Sequence, residues 1–382
     1  MKAFSCAEFI EPAAAMHRGA WLLALHGLQS MHPTTPTDRI RCLAWQARCQ
    51  LRLGLHGPAT ATAHELHRQL EQLDHSADSE LARFWPYTGL LLARALHRHA
   101  QGVTATRILA QWVSDYPHNV PLKLQLAHQV IRLGGDWRLV RRIAASLKGW
   151  PSAERDVHWL RLRNVLYEGG LSADHLAEEI RHFSERYLQP ASSNGYELPA
   201  DSGTTLVSIQ RQRIGLISPL FVAGPVYFLC IGALRELAHA FDLILYSRDP
   251  HQDWATDCFR SIAAEWHDVV ELDDVQLAQT LRSAQLYAVI DLGGWMDQSV
   301  LRALARRPVS RQFKWVGGQG TTTGTHAFDG FITDEHQSPA HLAHLYTEPL
   351  HYMPGGYVTY THPDYMPSSG GWFRAAVHPW LV

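Results

Sequence analysis

The sequence predicts an α-helical repeat solenoid followed by a doubly wound α/β lobe. Three observations carry this. Apolar residues recur at helix spacing through the first half of the chain. Two of the three spacings between glycine-marked helix ends there, about 32 and 35 residues, sit close to the 34-residue period of a helix-pair repeat, the first being about 48. After residue 210, short continuous apolar runs alternate with helical segments, the pattern of a parallel sheet covered on both faces.

Residues 1–188 form the helical part, rich in Ala, Leu, Arg, Gln and His. Leu122, Leu124, Leu126, Val130, Ile131 and Leu133 make one apolar stripe; Leu139, Val140, Ile143, Ala144 and Leu147 make the next. Gly54, Gly102, Gly134-Gly135 and Gly169-Gly170 fall at helix ends, where glycine takes the left-handed cap without a Cβ penalty. The clearest single repeat runs from Tyr116-Pro117 to Leu147, with Gly134-Gly135-Asp136 as its turn. One helix pair cannot bury its apolar face alone, so tetratricopeptide-like pairs should stack as a solenoid. Residues 189–210, QPASSNGYELPADSGTTLVSIQ, keep no sustained period and form a linker.

Residues 211–357 form the α/β lobe. Strands are expected at Ile214–Ser218, Asp242–Ser247, Val269–Leu272, Tyr287–Leu292 and Phe313–Val316, with helices near 226–240, 254–265, 274–284 and 298–306. A Gly/Thr-rich loop, a short strand ending in Thr333-Asp334, a helix opened by Ser338-Pro339 and an apolar run into Met353-Pro354 complete it. The natural solution is a Rossmann-like sheet, whose ligands bind beyond the carboxyl ends of the strands. Residues 358–382 are an irregular tail.

Composition narrows the function. The chain has 382 residues, 46% apolar and 18% charged, with a formal charge of −2. That balance argues against nucleic acid or an acidic membrane as partner. Five cysteines without a C-x-x-C pair suit reduced, buried thiols in a cytoplasmic protein. Glu8 and Glu11 interrupt any secretory signal, and Pro219, Gly224 and Pro225 break the longest apolar run, so no membrane span is expected.

The topology gathers Ser218–Pro225, Ser247–Asp253, Asp291–Asp297 and Gly317–Gly324 around one crevice. Gly317, Gly320, Thr321 and Thr322 can offer N–H groups and hydroxyls to a phosphate or sugar, or can equally form a tight structural turn. The loop is no P-loop, because Thr325 stands where that motif needs Lys. Asp291, ahead of Gly293-Gly294, is either a crevice carboxylate or a turn former. His267 is a candidate base or sugar contact. His341 and His344 share a helix face but lack a third ligand at metal spacing, so no metal is expected.

Several short motifs in order carry a family resemblance. They are Arg213-Ile214-Gly215-Leu216-Ile217-Ser218-Pro219, Asp291-Leu292 with Gly294, and Arg307-Pro308 with Gln312 ahead of Trp315-Val316-Gly317. Gly320-Thr321-Thr322, Phe331-Ile332-Thr333-Asp334 with Ser338-Pro339, and Tyr352-Met353-Pro354 follow. Residues 213–354 thereby resemble the first catalytic lobe of the protein O-GlcNAc transferase and SPINDLY family, half of a GT-B fold. The resemblance implies a nucleotide-sugar donor of UDP-GlcNAc or GDP-fucose type, protein Ser/Thr acceptors and repeats that recruit protein partners. It implies a donor-site role for Asp291, Gly294, Gly317, Gly320, Thr321 and Thr322. His267 falls where a family His stands.

Two departures bear on activity. The family's acidic residue and His after the first strand are replaced by Leu220 and Gly224, neither of which transfers a proton. Val358–Val382 is too short for a second lobe of roughly 150 residues. The expectation is a glycosyltransferase-family protein with weak or no intrinsic transfer. The alternatives are a transferase completed by a separate or truncated second lobe, and a helical-repeat adaptor whose α/β domain binds another nucleotide.

Overall fold

The computed structural model describes residues 9–73, 81–98, 101–168, 172–188, 211–249, 251–318 and 320–362. Two compact units emerge: Met1–Phe183 with Val270–Leu272, and Ser184–Val269 with Asp273–Val382. The expected linker at 189–210 and the tail beyond 362 lie outside the described residues, as does Cys6.

The first unit is helical apart from the Val270–Leu272 turn, and its last helix runs on past Phe183. Its helices are α1 (Ile10–His17), α2 (Trp21–Gln29), α3 (Pro36–Arg52), α4 (His56–Glu71), α5 (Leu81–Arg98), α6 (Gly102–Asp115), α7 (Val120–Arg132), α8 (Trp137–Ser146), α9 (Glu154–Glu168) and α10 (Ala173–Tyr187). Helices α3 to α9 each pack on their sequence neighbours, and α3 meets α5 and α5 meets α7 one pair on. That nearest-neighbour pattern is the repeat architecture the glycine spacing predicted. Local chemistry starts the helices. Asn119 accepts the N–H of Leu122 at 3.0 Å to open α7, and Asp136 accepts that of Arg138 at 2.8 Å to open α8. Leu122, Leu126, Val130, Val140, Ile143 and Ala144 are all buried in one continuous core, Leu124 and Leu139 pack partly buried against it, and Leu133 at the end of the first stripe is exposed.

The second unit holds seven parallel strands: β1 (Arg213–Ser218), β2 (Asp242–Ser247), β3 (Glu265–Asp268), β4 (Ala288–Asp291), β5 (Gln312–Lys314), β6 (Gly330–Thr333) and β7 (Leu350–Tyr352). Their order is β3-β2-β1-β4-β5-β6-β7. Helices α11 (Pro225–Ala240), α12 (Trp254–Ser261), α13 (Asp274–Ser283) and α14 (Gln298–Ala305) connect the first five strands. Leu216, Leu243, Leu245 and Ile290 pack with Cys230, Ile231 and Leu234 of α11 and Phe259 of α12 in one core. The alternate strand positions Ile217, Ile244 and Val289 point to the other face, where α13 and α14 supply buried Leu277, Leu281, Leu301 and Leu304.

Four local expectations are corrected. The third strand is Glu265–Asp268, not Val269–Leu272, and the preceding helix stops at Ser261. As the sheet edge, β3 pairs only with β2 and stays partly exposed, so it carries no continuous apolar run. The fifth strand ends at Lys314, and the segment opened by Ser338-Pro339 is a 3-10 turn, Ala340–Leu345. The start of the tail is docked: Thr359 N–H donates to Leu229 O at 2.9 Å and its hydroxyl accepts from Ala233 N–H at 3.1 Å, and Thr361 N–H reaches Phe228 O at 2.8 Å. Thr359 thus bridges a carbonyl and an amide four residues apart on α11, the pair a helix normally joins directly.

Candidate functional site

The strand order reverses between β1 and β4, and ligands of such sheets bind outside the carboxyl ends at that switch point. The loops Ser218–Gly224, Ser247–Asp253, Asp291–Asp297 and Trp315–Gly324 follow β1, β2, β4 and β5 and meet there. Hydrogen bonds tie the first three loops together. Arg248 N–H donates to Ser218 O at 2.8 Å, and its buried guanidinium contacts Asp297 at 2.9 Å. Asp297 also caps α14, accepting from Ser299 N–H at 2.9 Å. Asp253 caps α12 through Ala255 and Thr256, and its second oxygen takes Ala223 N–H at 2.8 Å. Thr256 returns the link by donating to Phe221 O at 2.8 Å.

Asp291 is fully buried at the end of β4. Its two oxygens accept the N–H groups of Gly293 at 2.8 Å and Gly294 at 2.9 Å. Beside it in register stands Lys314, also fully buried. The Lys314 ammonium donates to Trp315 O at 3.1 Å, Val316 O at 3.3 Å and Gly317 O, and lies 5.7 Å from the Phe331 ring centre. Burial raises the Asp291 carboxyl above the usual range, opposed by Lys314 and the two amides. Burial also lowers the Lys314 ammonium to about 8, opposed by Asp291 and Glu348. Two glycines are required here. A Cβ on Gly294, whose φ is +51°, would lie 2.5 Å from Lys314 Cε, and one on Gly317 would lie 2.2 Å from Leu292 O.

The Gly/Thr loop is braced from within. Buried Glu348 accepts from Thr322 Oγ1 at 2.7 Å, Thr323 N–H at 2.7 Å and the Thr323 hydroxyl. Thr322 Oγ1 also accepts from Gly324 N–H at 2.9 Å and Thr347 N–H at 3.0 Å. One donor and two acceptor positions are all a hydroxyl has, so this one keeps nothing for a ligand. Thr321 is half-buried and Gly320 exposed, and Gln319 lies outside the described residues.

His267 sits on the edge strand β3, in register with Tyr246 of β2. Its ring stacks on Tyr246 at 5.1 Å and contacts Glu265 at 3.1 Å, which in turn binds Arg213 at 2.7 Å at the start of β1. Arg213 and His267 together hold the Glu265 carboxyl down at about 2. His341 and His344 are exposed, and no group of three metal-ligating side chains occurs among the described residues. No helix among them is long and apolar enough to cross a membrane. Lys314, Glu348 and the Arg248–Asp297 pair escaped the sequence reading. The signal for Lys314 was there: Gln312 and Lys314 alternate with Phe313 and Trp315 in a strand the topology buries on both faces.

A parallel sheet in this order, with a glycine-rich crevice and helix-pair repeats ahead of it, is the architecture of a Rossmann-like lobe such as makes up half of a GT-B fold. A sequence model of Glycosyl transferase family 41 matches residues 192–368. The chain is 26% identical over 204 residues to a probable UDP-N-acetylglucosamine–peptide N-acetylglucosaminyltransferase SPINDLY of Petunia hybrida, covering 52% of this chain and 21% of that protein. It is 29% identical over 153 residues to the corresponding SEC protein of Arabidopsis thaliana, covering 39% of this chain and 15% of that protein. A mutant O-GlcNAc transferase of Thermobaculum terrenum shares the fold with a TM-score of 0.64 at 24% identity, over 88% of this chain and 61% of that one. The α/β unit is therefore similar to the O-GlcNAc transferases and SPINDLY-like glycosyltransferases. The matched stretch spans 21% and 15% of the length of these two curated relatives.

Proposed function

We propose that this lobe forms the acceptor-side half of a protein O-glycosyltransferase cleft that meets a nucleotide sugar, with weak or no transfer by the chain itself. The donor class, UDP-GlcNAc or GDP-fucose, follows from the family resemblance, and the names of the relatives favour the first. Asp291, Gly294, Gly317, Gly320 and Thr321 are the donor-side positions, acting through backbone and loop shape. Thr322 contributes by bracing the loop. The helical pairs hold protein partners, and the protein works in the cytoplasm.

One observation carries the low activity. The loop Ser218–Pro225 holds no titratable side chain, with Leu220 and Gly224 where the family places an acid and a His. The nearest carboxylate, Asp253, is engaged by three backbone amides. His267 sits on the edge strand, engaged with Glu265. General acid–base help in this loop is worth about 100-fold or more in rate.

Gly224 gives the test. Its backbone is extended, and a Cβ there meets nothing nearer than Val222 O at 3.9 Å, so a side chain fits. Gly224→His is expected to raise release of nucleoside diphosphate from UDP-GlcNAc or GDP-fucose by at least about tenfold. Sustained transfer to a peptide by the unsubstituted chain would overturn the reading.

A further inference from the structure

The residue that organises the glycine-rich edge of the crevice is a charge inside the sheet. Lys314 turns three successive carbonyls, those of Trp315, Val316 and Gly317, toward one ammonium. In a trans peptide the next N–H points opposite to the carbonyl. The N–H groups of Val316, Gly317 and Gly318 therefore point away from Lys314. None of the three has a hydrogen-bond partner among the described residues. The backbone is bent to allow this, with φ of +56° at Val316 and +70° at Gly318. A positive φ is a genuine outlier for a β-branched residue, and such strain persists only where surrounding contacts impose it.

We infer that Lys314, held by Asp291, is a positioning residue that preforms the Val316–Gly318 amides as a receiver for a ligand oxygen. The oxygen is of sugar hydroxyl or phosphate type, and this part rests on the nucleotide-sugar reading. Asp291 does the complementary work on the adjacent loop, drawing in the amides of Gly293 and Gly294. The pair thus sets both glycine loops from opposite charges on neighbouring strands. The other groups facing it are Glu348, whose charge favours the ammonium, Asp297, which acts on Asp291, and the Phe331 ring.

Deprotonation leaves Lys314 with two N–H donors for three carbonyls, so the loop should respond near pH 8, where this ammonium titrates. Val316-Gly317 is the only Val-Gly step in the sequence. Labelling valine carbonyl with carbon-13 and glycine nitrogen with nitrogen-15 therefore isolates the Gly317 amide as one resonance of the full chain. Without ligand, it is expected to shift with a midpoint near pH 8. In Lys314→Met it is expected to stay flat over the same range, and in Asp291→Asn the midpoint moves down. A resonance that does not titrate, or that titrates unchanged in Asp291→Asn, overturns the inference even if Lys314→Met fails to fold. UDP-GlcNAc and GDP-fucose are then added at pH 7. A Gly317 amide that titrates but ignores both donors leaves the positioning role standing and removes the nucleotide-sugar reading.

Discussion

Glu348 and Lys314 hold the Gly/Thr loop from two sides, and each makes a prediction. Glu348 receives three donors in a buried position. Glu348→Gln replaces one acceptor oxygen by a donor and strands at least one partner, at a cost of about 1–3 kcal/mol in chemical denaturation. An unchanged denaturation midpoint would remove Glu348 from this role. Lys314 makes a prediction with a definite sign. Its folded-state value is depressed to about 8 from an ordinary 10.5. Between those limits the unfolded chain binds more protons, so stability from this group rises with pH across that window. The stability difference between wild type and Lys314→Met should move in favour of wild type by up to about 1.4 kcal/mol per pH unit there. A flat difference would show that Lys314 is not a buried ammonium. Glu348 was not legible beforehand, because it lies 25 residues from Thr323; Lys314 left a signal in its place on a strand buried on both faces, but a lone Lys in an apolar run is ordinarily read as facing solvent.

At the level of elements, the sequence was most informative where strands are buried on both faces. The strands β1, β2, β4 and β6 are continuous apolar runs and sit where expected, as do α11, α13 and α14. The edge strand β3 is different. Glu265, Trp266, His267 and Asp268 are only partly buried, and Val269, the first residue of the more apolar run beyond, packs inside the following turn. Apolar periodicity therefore pointed four residues too far. Asp291 and the glycine loops were legible because strand ends in a doubly wound sheet locate the crevice, whereas the bracing of Thr322 depends on long-range partners. The capping box on α12 shows how an element end shapes the crevice. Asp253 caps the helix and also holds Ala223 in the loop after β1. Asp253→Ala should cost about 1 kcal/mol for the cap, and more if the loop loosens. Hydrogen exchange at Ala223 is the check: protection unchanged by the substitution would separate the cap from the loop.

At the level of the whole molecule, the chain joins a helical-repeat unit to an α/β lobe similar to that of the O-GlcNAc transferases and SPINDLY-like proteins. The lobe has a seven-stranded parallel sheet, a glycine-rich edge and the buried Asp291–Lys314 pair beside it. It lacks a proton-transferring side chain in the loop that enters α11. The central claim is that the crevice receives a nucleotide sugar without turning it over efficiently. The most direct test is saturation-transfer NMR on the purified chain with UDP-GlcNAc and GDP-fucose, the same samples being followed for release of UDP or GDP in the presence of a Ser/Thr peptide. The account predicts saturation of one donor's sugar and pyrophosphate-proximal protons with the donor remaining intact over hours. No contact with either donor, or steady release of the nucleoside diphosphate, would contradict it.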